Sequence, residues 1–266
     1  MREARPQAPP CVIVLGMHRS GTSLLTGSLE AAGLNLGNVN NAAKFNEKGN
    51  KENESIRDLN DALLAKADAA WNLPPEGQVR WDRADEGRGR VLIGSYLDAA
   101  RPWGFKDPRT IWTVEGWLRL LPDACMVGVF RHPSLVVRSL TARSGTLAIE
   151  ADEALRLWCA YNAELIRLER KYGFPVLHFG AVETFRDDVV APLTAFARAI
   201  GLTGALDRFF DRRLVHQAAP EPAPTIESRH LFGQLIEMSR QALPARSFGP
   251  VGGFRYNAGP HSEVGA

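Results

Sequence analysis

The stretch Cys11-Val-Ile-Val-Leu-Gly-Met-His-Arg-Ser-Gly-Thr-Ser23 decides the fold. Residues 11–15 are apolar and mostly β-branched, which is typical of a strand buried on both faces of a parallel sheet. Apolar side chains at helical spacing follow from Thr22 to Ala32, and Gly33 marks the end of that helix. The stretch therefore predicts a strand, a glycine loop and a helix in succession.

The same patterns recur along the chain. Further strands are predicted at 103–105, 125–130 and 175–179. Helices are predicted to begin near residue 54 and over 91–100, 133–140, 151–172, 186–200, 205–214 and 227–242. Residues 72–90 are rich in Pro, Gly and charge and predict a surface loop. Strands that alternate with helices predict an α/β fold, a single domain with a central parallel sheet flanked by helices.

The composition is that of an ordinary globular protein and excludes fibrous and disordered classes. The chain has 266 residues, of which 45% are hydrophobic and 23% charged, with a net charge of +2. This charge gives no argument for a nucleic-acid or membrane-surface partner. We place the domain at 11–247, after an extended or disordered segment 1–10 and before a Gly/Pro-rich tail at 248–266.

Cysteine usage and hydropathy indicate the compartment. The three cysteines form no CxxC pair, which argues against a disulfide framework or a thiolate metal site. No apolar stretch reaches the ~18–20 residues that a membrane span needs. The first ten residues lack the basic-then-apolar order of a secretory signal. These features predict a soluble, cytoplasmic protein.

The glycine loop has the features of a phosphate site. Backbone N–H groups at a strand-to-helix turn point at an anion, and the helix dipole adds positive potential. Gly16 and Gly21 have the spacing of the GxxxxGK[ST] nucleotide loop, but Thr22 replaces its lysine. This departure counts against an ordinary ATP or GTP site. The predicted anion ligands of the loop are Arg19, Ser20, Gly21, Thr22 and Ser23.

A second anion site is predicted after the strand 125–130. Arg131 stands at the carboxyl end of that strand, where open α/β sheets bind ligands. Ser139 follows two helical turns later, and a bend at Pro133 brings both side chains toward one phosphate. A nucleotide triphosphate site would prefer an aspartate here to hold Mg²⁺.

Together the two motifs resemble the sulfotransferase superfamily that uses 3′-phosphoadenosine-5′-phosphosulfate (PAPS). The resemblance covers about residues 11–200 and implies a P-loop-like architecture. It implies that the glycine loop holds the 5′-phosphosulfate of PAPS and that Arg131 and Ser139 hold the 3′-phosphate. The product would be adenosine 3′,5′-bisphosphate, and no metal would be required.

Sulfuryl transfer needs cations that stabilise the developing charge. We expect Arg19 to be the first cation. Lys106 is the second, because Lys106-Asp-Pro-Arg109 resembles the Lys-Asp-Pro segment of tyrosylprotein and bacterial sulfotransferases. Cytosolic members carry a histidine where this chain has Pro108, so the general base must come from elsewhere.

Glu52 is the first candidate for the base that takes the acceptor proton. Family members with the Lys-Asp-Pro segment often carry an Asn-x-x-Gly-x-x-Glu stretch, which Asn46, Gly49 and Glu52 fit. The helix dipole alone also favours a Glu in a first turn. Asp107 is the reserve base, although it could instead pair with Arg109 or Arg19. Glu47 is a third option.

Two other functions stay open at this stage: a P-loop kinase or NTPase, and a non-catalytic nucleotide-binding module. The predicted partner is a small-molecule or glycan acceptor, with no nucleic acid and no membrane span. Its pocket is assigned to the loops at 36–50, 71–90, 143–150 and 215–230. No metal motif is found. His18 and His132 are interpreted as structural, and the tail around Gly252 as a possible lid.

Overall fold

The computed structural model describes residues 9–41, 48–97, 101–142, 149–180, 184, 186–210 and 223–241. Its centre is a parallel sheet of four strands: β1 (Cys11–Leu15), β2 (Trp103–Lys106), β3 (Cys125–Phe130) and β4 (Val176–His178). The strand order is β2-β1-β3-β4. All four predicted strands are confirmed, and so is the parallel α/β fold class.

Helices cover both faces of this sheet. They are α1 (Thr22–Ala31), α2 (Glu54–Ala65), α3 (Arg83–Leu97), α4 (Thr110–Leu120), α5 (Pro133–Thr141), α6 (Ala151–Tyr172), α7 (Ala191–Ala199) and α8 (Ile226–Gln241). A π-helical turn (Arg186–Val190) leads into α7, and a 3₁₀ turn (Leu206–Phe209) follows it.

Strand β1 divides the core into two halves because successive side chains of a strand point to opposite faces. Cys11, Ile13 and Leu15 join an aromatic-rich cluster with residues of α2, α3, α4 and α6. Val12 and Val14 join a second cluster with residues of α1 and α7. Every residue of β1 is buried, as the continuous apolar run predicts for a central parallel strand.

The prediction of a surface loop over 72–90 is wrong for its second half, where α3 begins at Arg83. Asp82 and Asp85 each accept the backbone N–H of the other, at 3.0 and 2.9 Å. This reciprocal pair acts as a capping box, which the Gly-rich composition of the segment obscured. Packing explains the glycine at position 89 of this helix, because a Cβ there would lie 3.0 Å from the ring of Trp81.

Helix α4 was not predicted, although its pattern is helical. Ile111, Val114 and Trp117 recur at three-residue spacing and are fully buried against the first core cluster. The indole N–H of Trp117 and the hydroxyl of Thr113 both donate to Asn60 on α2, at 3.2 and 2.8 Å. Helix α4 thus carries the chain from the end of β2 back to the start of β3.

Other differences are local. Of the helix predicted at 205–214, the structure shows only the 3₁₀ turn, and residues 211–214 lie outside the described residues. The helix predicted at 186–200 begins instead with the π-helical turn. The tail 248–266 and residues 1–8 also lie outside the described residues, so the domain boundaries stay predictions.

The topology brings the predicted site residues to one edge of the sheet. Because all strands are parallel, their carboxyl ends lie side by side. The glycine loop follows β1, Lys106 ends β2, and Arg131 follows β3. The chain leaves β1 toward β2 on one side and places β3 on the other, which makes the β1–β3 boundary a topological switch point. Open α/β sheets bind their ligands at such points.

Candidate functional site

The glycine loop turns sharply between β1 and α1. Gly16 has a φ of +150°, and a Cβ there would collide with the carbonyl oxygen of Val129 on β3. Arg19 has a φ of +66°, a left-handed conformation that is strained for a side chain other than glycine. Gly21 is left-handed as well and forms the N-cap of α1. The loop therefore contains three residues with positive φ, and one of them is not a glycine.

The start of α1 is suited to an anion. Its N-cap supplies no side-chain hydrogen bond, and its first turn contains no acidic residue. Ser20 is fully buried, and its hydroxyl has no hydrogen-bond partner among the described residues. Buried hydroxyl groups in native proteins are almost always satisfied. An anion at the helix N-terminus would accept from Ser20 and from the first backbone N–H groups.

The second predicted anion site joins the glycine loop. Arg19 donates from Nε to the hydroxyl of Ser139 on α5 at 2.7 Å. Arg131 donates from Nη1 to the backbone carbonyl of Arg19 at 3.4 Å. The guanidinium of Arg131 also lies 5.3 Å from the ring centroid of Phe179. Arg19, Arg131 and Ser139 are thus brought together, although 120 residues separate the ends of this set in sequence.

Positive charges lie close together in this cluster. Burial, together with the nearby charges of Arg19 and Arg138, lowers the pKa of Arg131 to about 10. Burial also lowers the pKa of Arg19. The Nε of Arg131 is buried without a hydrogen-bond partner among the described residues. A buried cation with an unused donor is costly unless an anion pairs with it.

On the other side of the loop, Lys106 meets Glu52. Lys106 is the last residue of β2 and only 2% exposed. Its Nζ lies 2.7 Å from Oε1 of Glu52 and 3.4 Å from the hydroxyl of Ser23. The Ser23 hydroxyl in turn donates to the carbonyl of Asn50 at 3.0 Å. The predicted cation, which is buried, and the predicted base, which is partly buried, therefore form an ion pair beside the first turn of α1.

Asp107 is paired with Arg109, one of the two partners considered for it. Its carboxylate is fully buried and accepts from the backbone N–H of Arg109 at 2.7 Å and from Nη1 at 3.2 Å. Arg109 also donates to Asp61 on α2 at 2.5 Å. The pKa of Asp107 is raised to about 6, chiefly by burial and also by the nearby Glu52, although Arg109 acts in the opposite direction. Glu47 lies outside the described residues, as does Asn46.

Both histidines near the motifs have structural contacts. His132 is the N-cap of α5 and accepts from the backbone N–H of Ser134. Its ring also packs edge-on against Phe232 at 4.7 Å. His18 packs edge-on against Trp71 at 5.1 Å. These contacts agree with the structural interpretation of both residues.

Sequence reasoning missed the residue beside Glu52. Lys51 is 7% exposed, adopts a φ of +57° and forms an ion pair with Glu30 on α1 at 2.8 Å. A single lysine in a polar loop gives no sign of burial, because lysine is almost always solvated. The loop ends at Asn53, which is the N-cap of α2 and is a favoured residue type at that position.

The protein has a parallel α/β fold with a glycine loop between β1 and α1, and cationic side chains lie on both sides of that loop. The family model described as Sulfotransferase family matches residues 10–175, more than half of the chain. The chain belongs to the sulfotransferase family, which supports sulfotransferase activity in general terms.

Among the solved structures to which this chain is similar are two sulfotransferases. The sulfotransferase domain of the Synechococcus PCC 7002 olefin synthase is 19% identical with a TM-score of 0.42, covering 92% of this chain and 93% of that domain. The sulfotransferase STF1 from Mycobacterium tuberculosis is 15% identical with a TM-score of 0.41, covering 88% and 74%. No curated protein matched the chain.

The described residues contain neither a membrane-spanning helix nor a cluster of metal ligands. None of the helices in this part of the chain is both long and apolar enough to cross a membrane. The same residues contain no group of three or more His, Cys, Asp or Glu side chains arranged to hold a metal ion.

Proposed function

We propose that this protein transfers the sulfuryl group of PAPS to an acceptor hydroxyl or amine. The observation that carries the proposal is the ion pair between the buried Lys106 and the partly buried Glu52, beside the first turn of α1. It places a cation and a potential proton acceptor at the edge of the sheet where the glycine loop lies. Membership of the sulfotransferase family supports this chemistry.

The residues present fit the donor. The buried hydroxyl of Ser20 and the buried Nε of Arg131 each lack a partner among the described residues. In the proposal, Ser20 to Ser23 and the start of α1 hold the 5′-phosphosulfate. Arg131 and Ser139 hold the 3′-phosphate, with Arg19 between the two groups. Arg19 then exchanges its bond to Ser139 for phosphate oxygens.

The chemistry that PAPS supplies is an activated sulfuryl group on a phosphate leaving group. Glu52 takes the proton of the acceptor hydroxyl as the acceptor oxygen forms its bond to sulfur. Lys106 stabilises the negative charge that develops on the phosphate oxygen as its bond to sulfur breaks. The products are a sulfate ester and adenosine 3′,5′-bisphosphate, and the proposal requires no metal.

The kinase alternative has less support. Thr22 occupies the position of the lysine that reaches nucleotide phosphates in GxxxxGK[ST] loops, and it lies buried at the start of α1. Strand β3 is followed directly by Arg131, where a nucleotide triphosphate site would prefer an acidic residue. The acceptor in our proposal is a carbohydrate or small-metabolite hydroxyl, in keeping with the sequence analysis.

An acceptor screen with ³⁵S-labelled PAPS tests the proposal. We expect label to reach at least one hydroxyl-bearing acceptor. Glu52→Gln should retain bisphosphate binding and lose about 10²–10⁴-fold in rate, the typical contribution of a general base. Lys171→Met is the control: Lys171 pairs with Glu115 at 3.0 Å near the amino end of β4, at the opposite edge of the sheet.

Transfer of phosphate from labelled Mg-ATP, with no transfer from labelled PAPS, would overturn the proposal. Near-normal turnover by Glu52→Gln would leave the reaction but move the base to Asp107 or Glu47.

A further inference from the structure

The loop that carries Glu52 also contains Lys51, a residue to which the proposed reaction assigns no role. We call Lys48–Asn53 the 48–53 loop. Within it, Gly49 and Lys51 both have left-handed backbones, with φ values of +75° and +57°. A left-handed lysine is sterically unfavourable and persists only where its surroundings hold it in place. The side chain of Lys51 shows what holds it.

The ammonium group of Lys51 is buried and contacts three other side chains. Its Nζ lies 2.8 Å from Oε2 of Glu30 on α1 and 2.5 Å from Oδ1 of Asn41. It also lies 5.2 Å from the ring centroid of Phe209. Phe209 packs directly on Gly27 of α1, where a Cβ would collide with its ring. Lys51 therefore ties the loop to the face of α1.

Two backbone hydrogen bonds complete the attachment. The N–H of Lys51 donates to the carbonyl of Asn40 at 3.1 Å, and the N–H of Asn40 donates to the carbonyl of Glu52 at 3.2 Å. Lys51 points toward α1, whereas the next side chain, Glu52, meets Lys106 at the end of β2. The position of the Glu52 carboxylate thus depends on the anchoring of its neighbour.

We propose that Lys51 is a positioning residue, which holds the Glu52 carboxylate against Lys106 through its ion pair with Glu30 and its contact with Phe209. This inference rests on the proposed function of Glu52 as the base. In this role Lys51 need not contact the donor or the acceptor, because it acts by fixing the geometry of the 48–53 loop. A small displacement of a catalytic group is enough to cost a large part of the rate.

The test compares Lys51→Met, Lys51→Arg and Glu52→Gln with wild type and with the control Lys171→Met. Lys51→Met should lower kcat about 10- to 100-fold, since a misplacement of about 1 Å has this effect. Its affinity for adenosine 3′,5′-bisphosphate should stay within about threefold of wild type, because Lys51 lies outside the set proposed to hold the donor. Lys51→Arg keeps the charge and should recover most of the loss.

Hydrogen exchange gives a readout that does not depend on activity. The backbone amides of Asn40 and Lys51, which join the two segments, should exchange faster in Lys51→Met than in wild type. They should exchange at the wild-type rate in Lys171→Met, because that ion pair lies at the other edge of the sheet.

The outcomes separate this inference from the function on which it rests. Wild-type kcat in Lys51→Met, with a strong loss in Glu52→Gln, would overturn the role of Lys51 alone. Bisphosphate affinity and melting temperature that fall in proportion to kcat would also overturn it, because the residue would then be merely structural. Normal turnover by Glu52→Gln would overturn the assignment of Glu52, and the role of Lys51 with it.

Discussion

Arg131 shows how a single side chain prepares this site for an anion. It is partly buried, its pKa is lowered by burial and by other arginines, and its buried Nε has no partner in the described part of the chain. A phosphate would satisfy the donor and offset the repulsion together. The free energy of this contact therefore contributes to ligand binding and not to the stability of the unliganded protein.

Arg131→Ala should weaken bisphosphate binding strongly. A charge-assisted hydrogen bond contributes about 1.5–3 kcal/mol, which corresponds to an increase in Kd of about ten- to more than a hundredfold. Calorimetric titration measures the change. Arg119→Ala is the matched control, because Arg119 forms only a half-exposed ion pair with Glu86 on α3. Unchanged affinity in Arg131→Ala would contradict its assignment to the 3′-phosphate.

Asp107 makes stability depend on pH in an unusual direction. Its pKa in the folded protein is raised to about 6, mainly by burial, from an ordinary value of about 3.9. The folded state therefore holds this proton more tightly than the unfolded chain does. The stabilisation is fully present below about pH 4 and is lost as the pH rises through about 6.

Thermal unfolding of wild type and Asp107→Asn tests this sign. The melting temperature of wild type relative to the variant should be higher at pH 4.5 than at pH 7. A difference that instead grows in favour of wild type as the pH rises would mean that the pairing with Arg109 outweighs the burial of the carboxylate.

At the residue scale, the sequence indicates most of the site through the two anion motifs. Lys106 and Glu52 were expected from family resemblance, and the structure places them 2.7 Å apart. Lys51 could not be predicted, because its burial depends on Glu30 and Phe209, which come from distant parts of the chain. Arg19 contacts Ser139, a pairing that becomes visible only once β1 and β3 lie side by side.

At the element scale, the strands were easier to predict than the helices. A buried parallel strand is a continuous apolar run, so β1 and β3 are evident in sequence. Helix α3 contains several glycines and is stabilised by the Asp82–Asp85 capping box and by packing on Trp81 and Trp117. Local propensity underestimates such a helix because tertiary contacts outweigh it.

A substitution at Gly49 tests whether the shape of the 48–53 loop matters for stability and catalysis. A Cβ at Gly49 would collide with the carbonyl oxygen of Asn40, and φ is +75°. Gly49→Ala should therefore lower the free energy of unfolding by about 1–3 kcal/mol and also lower kcat by displacing Glu52. Thermal unfolding and steady-state kinetics measure the two effects.

Gly201→Ala is the matched control for this variant. Gly201 has a similar φ of +81°, but no atom of the described residues would lie within 4 Å of a Cβ at this position. It should show the backbone cost alone, with kcat unchanged. If both variants lose the same stability and neither loses rate, the shape of the 48–53 loop would have no bearing on catalysis.

At the scale of the whole molecule, one sheet edge gathers residues from all parts of the matched region. Two core clusters, one on each face of β1, pack the helices of the site against the sheet. One cluster contains residues of α1; the other contains residues of α2, which follows the 48–53 loop, and of α5, which carries Ser139. The edge presents Arg19 and Arg131 on one side of the glycine loop and Lys106 on the other. This arrangement suits a ligand with two separate anionic groups, which is the central feature of the proposed donor.

Calorimetric titration with adenosine 3′,5′-bisphosphate in the absence of metal, beside Mg-ATP, tests this central claim most directly. The account predicts tight, metal-independent binding of the bisphosphate and much weaker binding of Mg-ATP, because the loop has Thr22 in place of the nucleotide-loop lysine. Binding of Mg-ATP alone would contradict the account and assign the protein to nucleotide triphosphate chemistry.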